Sequence, residues 1–66
     1  MKTKYDKKTD ILYFELANGN YDASRKISDA IIVDEDKNGK VLGIEILDAT
    51  ENITAFDPHK FSTHTA

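Results

Sequence analysis

The stretch of the chain with the clearest chemical potential is an acidic segment with the spacing of a calcium-binding loop. Asp34, Asp36, Asn38, Gly39 and Glu45 fit the pattern D-x-[DN]-x-[DN]-G-x5-E, in which carboxylate and amide oxygens surround one ion. The same residues also fit the tip of a β-hairpin that binds no metal. The choice between these two interpretations decides whether the sequence contains an obvious chemical site.

The residues on either side of this segment favour the hairpin. A calcium loop of this kind lies between two helices, and its last Glu turns back to the ion. Here the flanking residues 30–33 and 41–47 are rich in Val and Ile, which are typical of strands. If residues 39–45 are extended, Glu45 lies roughly 20 Å from the turn, too far to share an ion with it. We therefore predict a hairpin with Gly39 in the left-handed region and no specific metal.

The other residues with catalytic or ligand-binding chemistry do not form a recognised motif. His59 and His64 lie near the end of the sequence without the neighbouring ligands of a zinc site. The glycines do not form a phosphate loop, and the serines lie outside a G-x-S-x-G elbow. We predict a protein that is not an enzyme and uses no metal or cofactor. Two alternatives stay open: a small-ligand-binding or minor enzymatic domain, and a hairpin that binds calcium weakly through Asp34 and Asp36.

Strands are the elements that must position these residues. In residues 11–17, Leu12 and Phe14 fall on one face and Tyr13 on the other, with the period of two that indicates a strand. Gly43, inside a second alternating stretch, indicates a bulge or a close approach by another backbone. Further extended segments are predicted at residues 3–5, 21–28, 30–33 and 41–47.

The pattern changes from extended to helical at Asp48. Asp48 followed three residues later by Glu51 is close to a capping box, which predicts the start of a helix. Asp57 followed by Pro58 predicts a second short helical turn with Asp57 as its N-cap. Residues 62–66 are expected to form a flexible tail.

These elements fit one α+β domain over residues 1–66: an antiparallel β-meander of four to five strands followed by a short C-terminal helix. A domain of 66 residues buries only about 60% of the surface that its unfolded chain exposes. The sequence contains no Cys, so a disulfide cannot add stability. Association with a second copy is a common remedy, and we therefore predict a homodimer.

A segment that is apolar on both faces indicates where that partner packs. Residues 30–33 are uniformly apolar, so the side that carries Ile32, with Tyr13 beside it, needs a cover. Glu45 lies between apolar neighbours, and at an interface it would need a basic partner such as Arg25. We predict an interface that includes Tyr13, Arg25, Ile32 and Glu45. The ligand-binding alternative would use Tyr13, Arg25 and Glu45. A C-terminal segment that folds back over this side is the alternative to a dimer.

The overall charge and hydropathy narrow the classes of partner. The net charge of −3 and the pI of about 5.2 argue against a nucleic-acid-binding protein, which would carry a basic face. No apolar run approaches the roughly 20 residues of a transmembrane helix, and the first residues lack the apolar stretch of a signal peptide. We expect a soluble, cytoplasmic protein that does not bind membranes.

Several blocks between residues 5 and 49 form a pattern that is shared with a known family. They are Tyr5-Asp6, Asp10, Leu12-Tyr13-Phe14, Ser24, Ile31-Ile32-Val33-Asp34, Gly39 and Gly43-Ile44-Glu45-Ile46-Leu47-Asp48-Ala49. This pattern resembles the small prokaryotic family catalogued as domain of unknown function 2283, and the block 43–49 is its most specific part. Residues 50–53 depart from it, because they are acidic and polar where the family usually has a short basic helix.

The resemblance implies a fold, a small β-sheet with a terminal helix, and no catalytic residues. Some relatives are encoded beside small toxin-like proteins, which implies an antitoxin-like role. We expect a non-enzymatic protein-interaction module, the partner of a small basic toxin, because an acidic protein suits a basic partner.

Overall fold

The alternating and apolar stretches of the sequence form strands, and the structure is mostly one sheet. The computed structural model describes residues 1–64, the last three of them by their backbone alone. Each region predicted to be extended contains a strand. The elements in chain order are β1 (Lys2–Asp6), β2 (Ile11–Glu15), β3 (Ala23–Lys26), β4 (Ile31–Glu35), β5 (Val41–Ile46), α1 (Ala49–Asn52), a 3₁₀ turn (Pro58–Lys60) and β6 (Ser62–His64).

The strands lie in the order β3-β4-β5-β2-β1-β6. The first five pair antiparallel, and β6 joins the edge parallel to β1. The predicted α+β class, an antiparallel sheet of five strands followed by a short helix, is confirmed. The observed order adds that β2 has β5 as its neighbour, although β3 follows β2 in the chain.

The connection between β2 and β3 closes one end of the sheet. The backbone N–H groups of Leu16 and Ala17 both donate to the carbonyl of Leu42, at 2.9 and 3.1 Å. Gly19 then lies so close that a Cβ atom there would be 2.7 Å from Cδ2 of Leu42. The absence of a side chain at Gly19 therefore lets the connection pass tightly over this end of β5.

The cross-strand register divides the side chains between two faces, because directly paired residues point to the same side. Leu12 pairs with Ile46 on one side, and Tyr13 pairs with Glu45 on the other. The first side, here called the inner face, carries Tyr5, Leu12, Phe14, Ile31, Val33, Ile44 and Ile46. The second side, here called the open face, carries Lys4, Tyr13, Ile32, Asp34 and Glu45.

A small core forms where α1 and the following residues pack on the inner face. Tyr5, Leu12 and Ala49 are buried at its centre. The ring of Phe56 meets that of Tyr5 edge-on, with centroids 5.0 Å apart, and Phe61 stacks on Phe56 at 5.5 Å. The segment after α1 thus covers the inner face, rather than the opposite side for which the sequence predicts a need for cover.

Helix α1 begins where the sequence predicts, but a distant residue caps it. Asp48 is the N-cap, yet its φ is 48° and its side chain accepts no capping bond from the described helix. Asp10 accepts hydrogen bonds from the backbone N of Thr50 at 3.2 Å and from Thr50 Oγ1 at 2.7 Å. The Asp10 carbonyl accepts another from the backbone N of Ala49 at 2.9 Å. The predicted capping box of Asp48 and Glu51 is therefore wrong.

The same Asp10 carboxylate links this cap to the core. The Tyr5 hydroxyl donates to it at 2.6 Å, and this hydrogen bond is the main reason that the pKa of Tyr5 rises to about 12. Burial opposes ionisation of Asp10, but the hydrogen bonds from Tyr5 and Thr50 hold its pKa below the ordinary value. A depressed carboxyl pKa stabilises the fold above the ordinary pKa of Asp, and this contribution is lost as the pH falls through the folded value.

The C-terminal segment follows the sequence prediction at Asp57. Its side chain accepts a backbone hydrogen bond from the 3₁₀ turn at 3.0 Å, and Pro58 takes the first position of the turn. Residues 62–64 then form β6. The flexible tail expected over residues 62–66 stays a prediction, and residues 65–66 lie outside the described residues.

We expect Asp10→Ala to destabilise the protein by about 2 kcal/mol more than Asp48→Ala, because it removes the hydrogen bonds to Thr50 and Tyr5. Both residues have a left-handed backbone, with φ of 59° and 48°. The strain of Ala is therefore common to both variants, and their difference isolates the side-chain contacts. Urea unfolding at pH 7 measures the two free energies. Equal losses would mean that the Asp10 carboxylate contributes nothing to stability.

Candidate functional site

The acidic segment singled out in the sequence forms the turn of the β4–β5 hairpin, as predicted. The backbone N of Asp36 donates to the carbonyl of Lys40 at 2.9 Å, and Gly39 N donates to the carbonyl of Asp36 at 3.0 Å. Gly39 has a φ of 78°. The carboxylate of Asp36 accepts from the backbone N of Asn38 at 2.9 Å and of Lys40 at 3.0 Å. Asp36 therefore stabilises the turn itself.

The five residues of the calcium-loop pattern separate into two groups. Asp36, Asn38 and Gly39 lie in the turn, whereas Asp34 lies in β4 and Glu45 in β5. Because these strands run antiparallel, Asp34 returns to the level of Gly43, one position from Ile44 and two from Glu45. The two carboxylates are therefore diagonal neighbours on the open face. The separation of roughly 20 Å expected between Glu45 and the turn therefore does not separate Glu45 from Asp34.

Three of the four predicted interface residues come together on the open face. A row of directly paired residues crosses five strands there: Lys4, Tyr13, Glu45, Ile32 and Lys26. Tyr13, Ile32 and Glu45 are thus consecutive members of one row, although the sequence separates them widely. Their role in an interface stays a prediction.

Arg25 does not join this row. It pairs with Val33, which belongs to the inner face, and its guanidinium forms a salt bridge with Glu35 at 2.7 Å. The suggestion that Arg25 neutralises Glu45 is therefore wrong. The physical reason is the register of β3 on β4, which places Ser24 and Lys26 on the open face and the intervening Arg25 behind it.

A hydrogen-bonded network surrounds Asp34 on the open face. Ser24 Oγ donates to the Asp34 carboxylate at 2.7 Å, and the Tyr21 hydroxyl lies 2.7 Å from the same Ser24 Oγ. The Tyr13 hydroxyl and the Glu45 carboxyl lie close enough to Asp34 for its charge to raise the pKa of both groups. Residues of four strands and the β2–β3 connection thus surround one carboxylate.

The surroundings of Asp34 oppose the ionisation of two of its neighbours, Glu45 and Tyr13, and raise the pKa of each. Burial, followed by the charge of Asp34 and a hydrogen bond to it, raises the pKa of Glu45. Burial also raises the pKa of Tyr13, with further contributions from the charges of Asp34, Glu15 and Glu45. Burial is the largest cause of both shifts, and the negative charges nearby add to it.

Gly43 makes room for the Tyr13 ring at the centre of the open face. A Cβ atom at Gly43 would lie 2.6 Å from Cζ of Tyr13, would collide with its hydroxyl oxygen, and would lie 2.9 Å from the carbonyl of Phe14. The close approach predicted at Gly43 is thus that of an aromatic side chain and a backbone carbonyl. The ring can lie across β5 only because that position has no side chain.

A shallow cavity of about 300 Å³ opens beside Tyr13 on the same face. Its lining residues come from β1, β2, β5 and the β1–β2 turn: Lys4, Asp6, Thr9, Ile11, Tyr13 and Glu45. Opposite charges at Lys4 and Glu45 thus flank an aromatic ring. The cavity holds room for one side chain or a small molecule at the low end of ligand-site volumes.

Sequence analysis missed the two hydroxyl residues of the network, Tyr21 and Ser24. Ser24 alternates with Arg25 in a polar segment, and this pattern does not indicate which of the two shares a face with Asp34. The register of β3 decides that, and it is a long-range property. A signal was present only in the family pattern, which includes Ser24.

A family model described as "Protein of unknown function (DUF2283)" matches residues 2–49, more than half of the chain. The chain belongs to this family. No curated protein and no solved structure matches it.

The DUF2283 match contains all five antiparallel strands and stops at Ala49, the first residue of α1. The open face, with Tyr13, Asp34 and Glu45, therefore lies within the matched region. The residues that complete the core from the C-terminal side, such as Phe56 and Phe61, lie beyond it.

We expect Gly43→Ala to lower the free energy of unfolding by about 2 kcal/mol, because its methyl group would overlap the Tyr13 ring. In a Tyr13→Leu background the cost should fall, since the flexible Leu side chain can move aside. Urea unfolding of the four members of this double-mutant cycle measures the coupling. A cost that does not change with Tyr13→Leu would mean that the Phe14 carbonyl, and not the ring, requires glycine here.

We expect Glu45→Gln to stabilise the protein at neutral pH. The folded pKa of Glu45 is raised, so ionisation of Glu45 disfavours the folded state once the pH exceeds the ordinary Glu value. The rise in melting temperature should be a few degrees at most, because the group is partly solvated. Melting curves at pH 7 and pH 3.5 check this, since the difference should vanish in acid. A lower melting temperature for Glu45→Gln at pH 7 would contradict the repulsion.

Proposed function

We propose that this DUF2283 protein is a non-enzymatic interaction module that binds a basic protein through its open face, as an antitoxin-like partner of a small basic toxin. The observation that carries the proposal is the pair of neighbouring carboxylates, Asp34 and Glu45, beside the Tyr13 ring. The α1 helix and the residues after it pack on the inner face. The open face therefore has no packed helix among residues 1–64.

The charges of the open face follow a pattern that suits a basic partner. Carboxylates occupy its middle strands, and lysines occupy its two sides. The middle carries Glu15, Asp34 and Glu45, and the sides carry Lys2, Lys4 and Lys26 together with one carboxylate, Asp6. The three middle strands form a strip about 10 Å wide that carries no lysine on this face. A basic side chain placed there is attracted by the centre, and the flanking lysines restrict where it binds.

A cation from the partner would relieve the repulsion between the central groups. Glu45 has a raised pKa because it is half-buried beside Asp34. An added guanidinium or ammonium group places a positive charge beside Glu45, which favours the ionised carboxylate. The face of the Tyr13 ring adds a cation–π contact for the same group. Arg suits such a site better than Lys, because its planar fork contacts two carboxylate oxygens at once.

The shape of the open face also favours a protein partner over a substrate. The face is formed by strands, whose side chains are held by backbone pairing, and it is wide and shallow. Net charge of −3 adds long-range attraction for a basic protein. Among the described residues no helix has the length and hydropathy to cross a bilayer. We propose separately that both partners meet in the prokaryotic cytoplasm.

A second candidate function is the binding of a small ligand in the cavity beside Tyr13. The observation in its favour is the volume of about 300 Å³ with Lys4 and Glu45 on opposite sides. A small zwitterion would complement these two charges. We place this candidate second because the cavity is shallow, whereas ligand sites usually enclose most of the ligand.

Affinity capture from the native host followed by mass spectrometry tests the first candidate. We expect the immobilised protein to retain a small basic protein. With that protein purified, Asp34→Asn combined with Glu45→Gln should weaken binding at least about tenfold, which is about 1.4 kcal/mol.

The control is a variant with the same loss of charge elsewhere, Asp22→Asn combined with Glu51→Gln. Both residues are exposed, and we expect the binding constant to change less than about twofold. If the two double variants weaken binding equally, the interaction depends on net charge alone, and this outcome would contradict a site on the open face. Retention of an acidic or neutral protein alone would contradict the basic partner.

A further inference from the structure

Two Asn-Gly pairs in the chain, Asn18-Gly19 and Asn38-Gly39, carry a chemistry that the proposed interaction does not use. In such a pair the backbone nitrogen of the glycine can attack the side-chain carbonyl carbon of the asparagine, because glycine has no side chain to hinder the approach. The ring that forms is a succinimide, and its hydrolysis changes the asparagine permanently. Both asparagines are exposed to solvent. The local structure of each pair therefore determines whether it reacts.

The fold requires the glycine in both pairs. Gly39 has a φ of 78°, a left-handed conformation that favours glycine over other residues. At Gly19 the backbone is regular enough for a side chain, but a Cβ atom would lie 2.7 Å from Cδ2 of Leu42. Neither glycine can be replaced without a loss of stability. The reactive dipeptide is thus built into both loops, and only the hydrogen bonds around it can distinguish the two asparagines.

Hydrogen bonds hold the second pair in place. The backbone N of Gly39, which is the attacking atom, donates to the carbonyl of Asp36 at 3.0 Å. The carboxylate of Asp36 accepts from the backbone N of Asn38 at 2.9 Å and of Lys40 at 3.0 Å, and this fixes the chain on both sides of Gly39. The turn has to open before the Gly39 nitrogen reaches the Asn38 side chain, and the loss of these bonds slows the reaction.

The first pair lies in the irregular connection between β2 and β3. The hydrogen bonds before it are those from the backbone N of Leu16 and Ala17 to the carbonyl of Leu42. Within residues 1–64, neither the backbone N of Gly19 nor the side-chain amide of Asn18 has a hydrogen-bond partner. The attacking nitrogen and the group that it attacks are therefore both free, in contrast to those of the hairpin turn.

We propose that Asn18 is a site of spontaneous deamidation, and that the hairpin turn protects Asn38 from the same reaction. The Gly19 nitrogen forms a bond to Cγ of Asn18, the bond from Cγ to Nδ2 breaks, and ammonia leaves with the proton of the Gly19 nitrogen. Water then opens the succinimide at one of its two carbonyl carbons. The product is Asp or iso-Asp at this position, and each event adds one negative charge to the net charge of −3.

The modification changes both the charge and the fit of the β2–β3 connection. Asn18 lines a shallow cavity of about 280 Å³ together with Lys2 and Glu15, so the new carboxylate lies near one cation and one carboxylate. The iso-Asp product also adds a methylene group to the main chain, directly before Gly19 passes tightly over Leu42. We expect the iso-Asp form to unfold at a lower urea concentration than the Asp form.

Incubation of the purified chain at pH 8, followed by peptide mass spectrometry, tests the proposal. We expect deamidation at Asn18 to be at least about tenfold faster than at Asn38, because only the second reaction must first break the hydrogen bonds of the turn. Labelling by an isoaspartyl methyltransferase identifies the iso-Asp product. Equal rates, or a faster reaction at Asn38, overturn the proposal.

Two controls separate the folded structure from the local sequence. In urea that unfolds the chain, the two rates should agree within about twofold, because the hydrogen bonds of the turn are lost. Asp36→Ala, which removes the carboxylate that holds the turn, should accelerate deamidation of Asn38 and leave that of Asn18 unchanged. Circular dichroism confirms that this variant is folded. A tenfold difference that persists in urea, or a rate at Asn38 that Asp36→Ala does not raise, overturns the protection by the turn.

Discussion

The antiparallel pairing of β2 with β5 is the contact on which the rest of the structure depends. The β1–β2 hairpin is too small to be stable alone, and this seam joins it to the β3–β4–β5 unit in one sheet. The seam also fixes the register, with Leu12 beside Ile46 under the helix and Tyr13 beside Glu45 on the opposite side. A slip of one residue would exchange the two faces and bury Tyr13 and Glu45 in the core. The core and the candidate site are therefore two results of the same register.

Local patterns were sufficient to predict the elements and the turn chemistry. Alternation located the strands, and the Asp36 to Gly39 segment identified its hairpin because the bonds that stabilise the turn lie within it. The neighbours of each strand were not predictable in this way. The bonds between β2 and β5 join residues about thirty positions apart. Alternation is a local pattern, and it does not indicate which distant strand becomes a neighbour. The cap of α1 was missed for the same reason, since Asp10 comes from the first turn and Asp48 appeared sufficient.

The candidate site shows the same division between local and distant information. Tyr13, Ile32 and Glu45 were predictable from their own strands. Tyr13 and Ile32 are large side chains on a second face that needs cover, and Glu45 is a charged residue between apolar neighbours. Arg25 was assigned to the wrong side, because alternation gives the two faces of β3 but not which of them continues the face of Glu45. Asp34 was interpreted as part of a loop, although its role depends on the strand beside it. A shift of one residue in the pairing of a strand moves its side chains to the other face, and alternation alone does not decide between the two.

The C-terminal origin of the core's aromatic residues has a consequence for synthesis on the ribosome. Tyr5 and Leu12 are made well before Phe56 and Phe61, whose rings pack over them. Strands that form earlier on the ribosome expose their apolar side until residues 56–61 leave the exit tunnel. Contacts between such distant parts of a chain also slow folding. The chain is thus most prone to aggregation in the interval before residues 56–61 close over the strands.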